Sequence, residues 1–201
     1  MKKFIPFTII LVVVSVLASL SIYGYSNYAE SKNSYSLNES AKLLRPSQAT
    51  AKKHKWFLSI VTPAQEAQKK YGVPASISLA QAITESDWGQ SELSQEHHNL
   101  FGIKDKNGKP FKTKEYVNGK WITITDKFAT YNSDGESVIR HAMLIKNGTS
   151  ENKDRYKKVV TAKNYKDAAK ALQDGGYATD PDYAEKLISV IQSYDLQTYD
   201  E

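Results

Sequence analysis

The segment from Pro74 to Gly89, Pro-Ala-Ser-Ile-Ser-Leu-Ala-Gln-Ala-Ile-Thr-Glu-Ser-Asp-Trp-Gly, constrains the fold more than any other part of the chain. Pro74 is placed as an early helical residue, where a missing N–H costs nothing because first-turn donors have no intrahelical partner. Ile77, Leu79, Ala80, Ala82 and Ile83 make the helix apolar on too many sides for a surface position, so it is predicted to be buried. Gly89 ends it, and Glu85 stands near that end. A carboxyl group anchored in a buried helix loses hydration, which penalises its ionised form and raises its pKa. Such a group stays protonated near neutral pH and serves as a general acid. On the helix alone, a local cap or salt bridge is an equal alternative for Glu85.

The ends of the chain read differently. Met1-Lys2-Lys3 precedes an uncharged run from Phe7 to Ile22, which predicts an export signal or a short N-terminal membrane anchor over residues 1–26. The run is a little short of the roughly 20 residues that span a bilayer comfortably. Residues 27–54 are rich in Ser, Asn, Lys and Ala and are expected to be a polar linker, with a short helix at Glu39–Leu44. Residues 55–201 are left for one self-sufficient domain. The chain has no cysteine, which removes disulfides, thiolate metal sites and cysteine nucleophiles together. An exported protein without disulfides suits an envelope lacking a disulfide-forming periplasm, so a Gram-positive bacterium is the expected source. Past residue 26 the balance is 25 basic against 22 acidic residues, a mild excess that favours anionic wall polymers or headgroups. The lysines are scattered rather than striped, so no nucleic-acid partner is expected.

Pattern places the remaining elements. Trp56 to Tyr71 reads as helix, with a restart at Thr62-Pro63-Ala64-Gln65 and a stop at Gly72. Phe111–Val117 and Lys120–Thr125 are β-rich runs separated by Asn118-Gly119, a strong hairpin signal, and Phe128–Tyr131 is available as a third strand. Ser133 and Glu136 form a capping box that opens a helix closed by Gly148. Helices are also predicted over Tyr156–Ala162 and Tyr165–Asp174, and a last one after Asp180-Pro181 with Tyr183, Leu187, Ile188 and Ile191 at helical spacing. The fold class is α+β, mainly helical. A type I′ turn at Asn118-Gly119 sets Val117 opposite Lys120, Tyr116 opposite Trp121 and Glu115 opposite Ile122. Glu115 then shares a face with Thr113, Val117, Ile122 and Ile124. By itself that acid reads as an edge-strand charge against aggregation.

Several motifs in series alter the weighting. Glu85-Ser86-Asp87-Trp88-Gly89-Gln90-Ser91 and His98-Asn99-Leu100-Phe101-Gly102-Ile103-Lys104 are followed by Thr113-Lys114-Glu115-Tyr116 and Phe128-Ala129-Thr130-Tyr131. Gly176-Tyr177-Ala178-Thr179-Asp180 and Tyr183-Ala184-Glu185-Lys186-Leu187 complete the set. Over roughly residues 55–195 the chain resembles the family 73 glycoside hydrolases, bacterial N-acetylglucosaminidases of flagellar and autolysin type that cut peptidoglycan. Asp87 departs from the pattern, which more often has a small residue there. It either perturbs Glu85 or points to solvent.

The resemblance implies a lysozyme-like superfold, with a helical lobe and a small antiparallel β lobe flanking a substrate groove. It implies Glu85 as the catalytic acid and Glu115 as a second catalytic carboxylate, acting as base or stabilising attack by the sugar's own acetamido group. It places Tyr177 beside the scissile sugar, with Tyr131, Trp88, Asn99 and Phe101 as further substrate-binding candidates. For Trp88, Phe101 and Tyr131 core packing is an equal alternative, and Asn99 has the alternative of turning the backbone ahead of Leu100. No metal or other cofactor is expected: His97 and His98 are adjacent, point differently and lack ligand spacing. The expected partner is the glycan strand of peptidoglycan, met outside the cell or at the wall by a monomer, with the membrane reached only through an uncleaved N-terminus. Rival readings are an N-acetylmuramidase or lytic transglycosylase, or a non-catalytic wall-binding protein.

Overall fold

The structure, a computed structural model, describes residues 48–117 and 120–200, with the side chains of 113–122 outside the description. The expected signal or anchor, the helix at Glu39–Leu44 and the Asn118-Gly119 turn lie outside the described residues. In chain order the elements are α1 (Gln48–Tyr71), α2 (Ala75–Ser86), α3 (Glu92–His97), β1 (Lys104–Val117), β2 (Lys120–Phe128) and α4 (Asp134–Asn147). Then come α5 (Lys157–Val160), α6 (Tyr165–Asp174), α7 (Tyr183–Ser193) and a 3-10 turn at Leu196–Tyr199. The architecture is α+β and mainly helical, with one antiparallel hairpin.

Helix α2 is the centre. Every residue in it is buried except Thr84 and Glu85, because α4, α6, α7 and the 3-10 turn pack around it. Its first N–H groups, which no intrahelical carbonyl can reach, are met from outside. Gln68 Oε1 accepts from Ala75 N at 2.8 Å, and Asp200 accepts from Ser76 N at 2.8 Å and Ser76 Oγ at 2.7 Å. Pro74 is the N-cap residue, with an extended ψ of 135°, rather than the first helical one. Its ring still imposes the start.

The far end of α2 is unusual. Asp87, Trp88 and Gly89 follow one another in the left-handed region, at φ of 48°, 59° and 68°. Ser86 holds this corner, donating to Ala82 O and accepting from Gly89 N at 2.7 Å. A Cβ on Gly89 would fall 2.2 Å from Trp56 Nε1. Gly89→Ala is therefore expected to destabilise the domain by at least about 1–2 kcal/mol from the left-handed backbone alone, with the displaced indole adding to it. Thermal unfolding of the variant checks this, and an unchanged midpoint would contradict the packing described.

Four sequence expectations need correction. Helix α1 does not restart at Thr62, and Pro63 lies inside it. Phe57, Ile60, Ala64 and Ala67 form one buried stripe through both halves, so tertiary packing holds the helix together across the proline. The helix also begins at Gln48, within the stretch read as linker. Tyr156–Ala162 contracts to Lys157–Val160. No third strand forms at 128–131 among the described residues, because the backbone there is engaged elsewhere. Ala129 N donates to Ile103 O and Tyr131 N to His97 O, each at 3.0 Å. The hairpin pairs as the turn geometry predicted, with Glu115 opposite Ile122, Tyr116 opposite Trp121 and Val117 opposite Lys120. Strand β1 is longer than expected and has an irregularity between Lys104 and Lys109.

Candidate active site

Glu85 sits where α2 meets the root of the hairpin. It lines a concavity of about 300 Å³ with Ser91, Glu92, Leu93, Gly102, Phe111 and Phe128. Phe111 and Phe128 anchor the strands there, their ring centroids 6.2 Å apart, and the His97 ring packs 6.2 Å from Phe111. The carboxyl group is open to solvent along the concavity but walled by protein behind. Loss of hydration raises its pKa above the ordinary 4.5, and a hydrogen bond from Tyr183 pulls partly the other way. The acid form is thus favoured relative to a free glutamate. Asp87 is exposed and contributes nothing to the shift, so this departure from the family pattern points to solvent.

A stack of tyrosines backs the acid. Tyr183, on α7, donates its hydroxyl hydrogen to Glu85 Oε1 at 2.9 Å. Tyr177 stacks on Tyr183 with centroids 5.9 Å apart and lies 5.9 Å from Tyr156 and 5.7 Å from His141. Burial first, then the Glu85 charge, hold the Tyr177 hydroxyl well above its usual range, and Tyr183 is raised for the same reasons. Both phenols are therefore hydrogen-bond donors, never phenolates, at any working pH. The loop carrying Tyr177 is braced by Arg155, which donates to Gly175 O at 2.6 Å and Gly176 O at 3.0 Å.

The other candidates separate. Tyr131 lines a different concavity with Ile103, Asp105, Glu136 and Arg140, and burial raises its pKa. Asn99 is buried and ties the backbone together: its Nδ2 donates to Ile103 O and Ala129 O, and its Oδ1 accepts from Ile103 N at 3.0 Å. That is the backbone-turning alternative. Phe101 is buried in the core, stacked on His141 at 4.0 Å. Trp88 is carried by its left-handed backbone into an aromatic cluster with Trp56, Phe57 and Tyr194. It lines a separate cavity of about 430 Å³ that contains no acid. The Glu115 side chain lies outside the described residues; its register on β1 is fixed.

His98 Nδ1 lies 2.7 Å from Asp134 Oδ1, while Asp134 Oδ2 accepts from Trp56 Nε1 at 2.9 Å. This clamp joins α1, α4 and the loop after α3. Tyr183 is the residue that sequence reasoning missed, having been read only as an apolar position of the last helix. The available signal was Gln81: a polar residue one turn before Glu85 in a buried helix must find a partner.

Comparison with known proteins agrees with this geometry. A family model for glucosaminidase, described as mannosyl-glycoprotein endo-beta-N-acetylglucosaminidase, matches residues 61–196. The exo-glucosaminidase LytG of Bacillus subtilis is 50% identical over 141 residues, covering 69% of this chain and 50% of LytG. A probable N-acetylmuramidase of Lactococcus lactis is 39% identical over 158 residues, covering 76% of this chain and 36% of that protein. The chain thus spans half or less of the length of these curated relatives. The catalytic domain of the autolysin Auto from Listeria monocytogenes superposes with a TM-score of 0.69 at 42% identity, covering 83% of this chain and 97% of that one. With a match over most of the described domain and this lysozyme-like arrangement around Glu85, the chain belongs to the glucosaminidase family, the family 73 glycoside hydrolases.

Proposed function

We propose that this protein hydrolyses the β-1,4 bond following N-acetylglucosamine in the glycan strands of peptidoglycan, with Glu85 as the general acid. The observation that carries the reading is a partly desolvated carboxyl group, its pKa raised, on an open concavity between the helical body and the hairpin root. Protonating the glycosidic oxygen requires such a group. Glu115, on the strand that borders the concavity, is the proposed second carboxylate, and Tyr177 and Tyr131 are proposed to contact the sugar. All of these come from one chain, so a monomer suffices. We further propose residues 1–26 as an export signal or anchor, 27–54 as a linker that runs into the first turns of α1, and 55–201 as the catalytic domain. The site of action is then the wall outside the membrane of a Gram-positive cell, in separation, turnover or autolysis.

The test is mass spectrometry of fragments released from purified walls. New reducing ends of N-acetylglucosamine are the expected product. N-acetylmuramic acid or its anhydro form at those ends would instead assign the bond that the name of the Lactococcus relative suggests. Fragment length distinguishes internal cleavage from stepwise release, the two modes that the family description and the LytG name respectively carry.

A further inference from the structure

Gln81 and Glu85 lie one turn apart on the same face of α2, and Tyr183 reaches both. Gln81 Nε2 donates to Tyr183 Oη at 2.8 Å, and Tyr183 Oη donates to Glu85 Oε1 at 2.9 Å. Gln81 is fully buried and Tyr183 is 5% exposed. A phenol has a single hydrogen, so what its oxygen receives decides where that hydrogen goes. With the Gln81 amide on the oxygen, the tyrosine hydrogen is left for Glu85. The opposite amide orientation would draw that hydrogen to Gln81 Oε1 and set the phenol's lone pairs against an ionised carboxylate. Gln81 Oε1 has no partner among the described residues. A buried amide whose oxygen is unmatched calls for an explanation, and the donation by its nitrogen supplies one.

We infer that Gln81 is a positioning residue that fixes the direction of this hydrogen-bond chain, so that Tyr183 always donates to Glu85 Oε1 and the acid carries its proton on Oε2. The carbonyl oxygen of a protonated carboxyl group is a better acceptor than its hydroxyl oxygen, so donation by Tyr183 to Oε1 favours the proton on Oε2. The chain thereby selects which oxygen delivers the proton, and it holds the carboxyl plane while doing so. This inference rests on Glu85 being the acid. It adds that the bond by which Tyr183 offsets part of the raised pKa is directed from α2 itself, through a buried residue.

The experiment compares wild type, Gln81→Met, Tyr183→Phe and the double variant. Methionine nearly conserves volume and donates nothing. For Gln81→Met, kcat on wall fragments is expected to fall about 5- to 20-fold with KM unchanged, a fraction of the about 10²–10⁴-fold that a positioned acid supplies. The basic limb of the pH profile should move to higher pH, because a weakened bond to the ionised form raises the pKa. Tyr183→Phe should show the same signature more strongly, and the double variant should add nothing to Tyr183→Phe alone. Titration of the Glu85 carboxyl carbon by NMR reads the same shift without any substrate. Should the wild type cut no glycan, the reaction assignment fails while this titration still decides the positioning role. An unmoved Glu85 titration in Gln81→Met, or additive losses in the double variant, would overturn the inference. If Gln81→Met does not fold, an unmoved titration in Tyr183→Phe overturns it equally.

Discussion

Glu85→Gln is expected to reduce glycan hydrolysis by about 10³-fold or more, the upper part of the range for removing a positioned general acid. Zymography on purified walls and release of reducing ends measure it. The substitution keeps the shape of the side chain and its place beside Tyr183, so the fold should survive. A second signature follows from the same environment. Because burial raises the Glu85 pKa above 4.5, the folded state retains a proton that the unfolded chain gives up. Stability then declines as pH rises from about that value through the raised pKa. The glutamine variant lacks this slope and should melt at or above the wild-type temperature at neutral pH, with the gap closing in acid. Near-normal wall lysis by the variant would remove Glu85 from the chemistry.

Acidification should weaken the whole domain through a different residue. His141 is fully buried, stacked on Phe101, and neither ring nitrogen has a hydrogen-bond partner among the described residues. Burial lowers its pKa from 6.5 to about 3. The depressed value means that the unfolded chain takes up the proton first. The neutral ring's full contribution is therefore present above pH 6.5 and is lost as pH falls toward 3. At pH 4.5 the loss is about 2–3 kcal/mol, from about 1.4 kcal/mol per pH unit. Urea unfolding of wild type and His141→Phe at several pH values should show a clearly flatter slope for the variant between pH 6.5 and 4.5. Parallel slopes would mean that the histidine is hydrated in the folded state.

Legibility in the sequence followed the range of the interactions. Glu85 and its buried helix could be read because the apolar positions of α2 are local and numerous. The hairpin register could be read because a two-residue turn leaves one pairing, and the Ser133 cap because its partner lies three residues on. Tyr183 could not be read, since its bond to Glu85 spans 98 residues and depends on how α7 crosses α2. For Trp88 the sequence leaves core packing and sugar contact equally open, and the left-handed run Asp87-Trp88-Gly89 carries its ring into the cluster with Trp56, Phe57 and Tyr194. Pro63 shows tertiary packing overriding a local stop signal.

The crossing of α7 over α2 has a bearing on biosynthesis. A ribosome that has completed the hairpin has already made the carboxylate and the residues lining its concavity, but not the tyrosine that holds it. Until Tyr183 has emerged and docked, residue 85 lacks the hydrogen bond that fixes its carboxyl plane. A helix made 98 residues after the proposed acid thus completes that acid's surroundings.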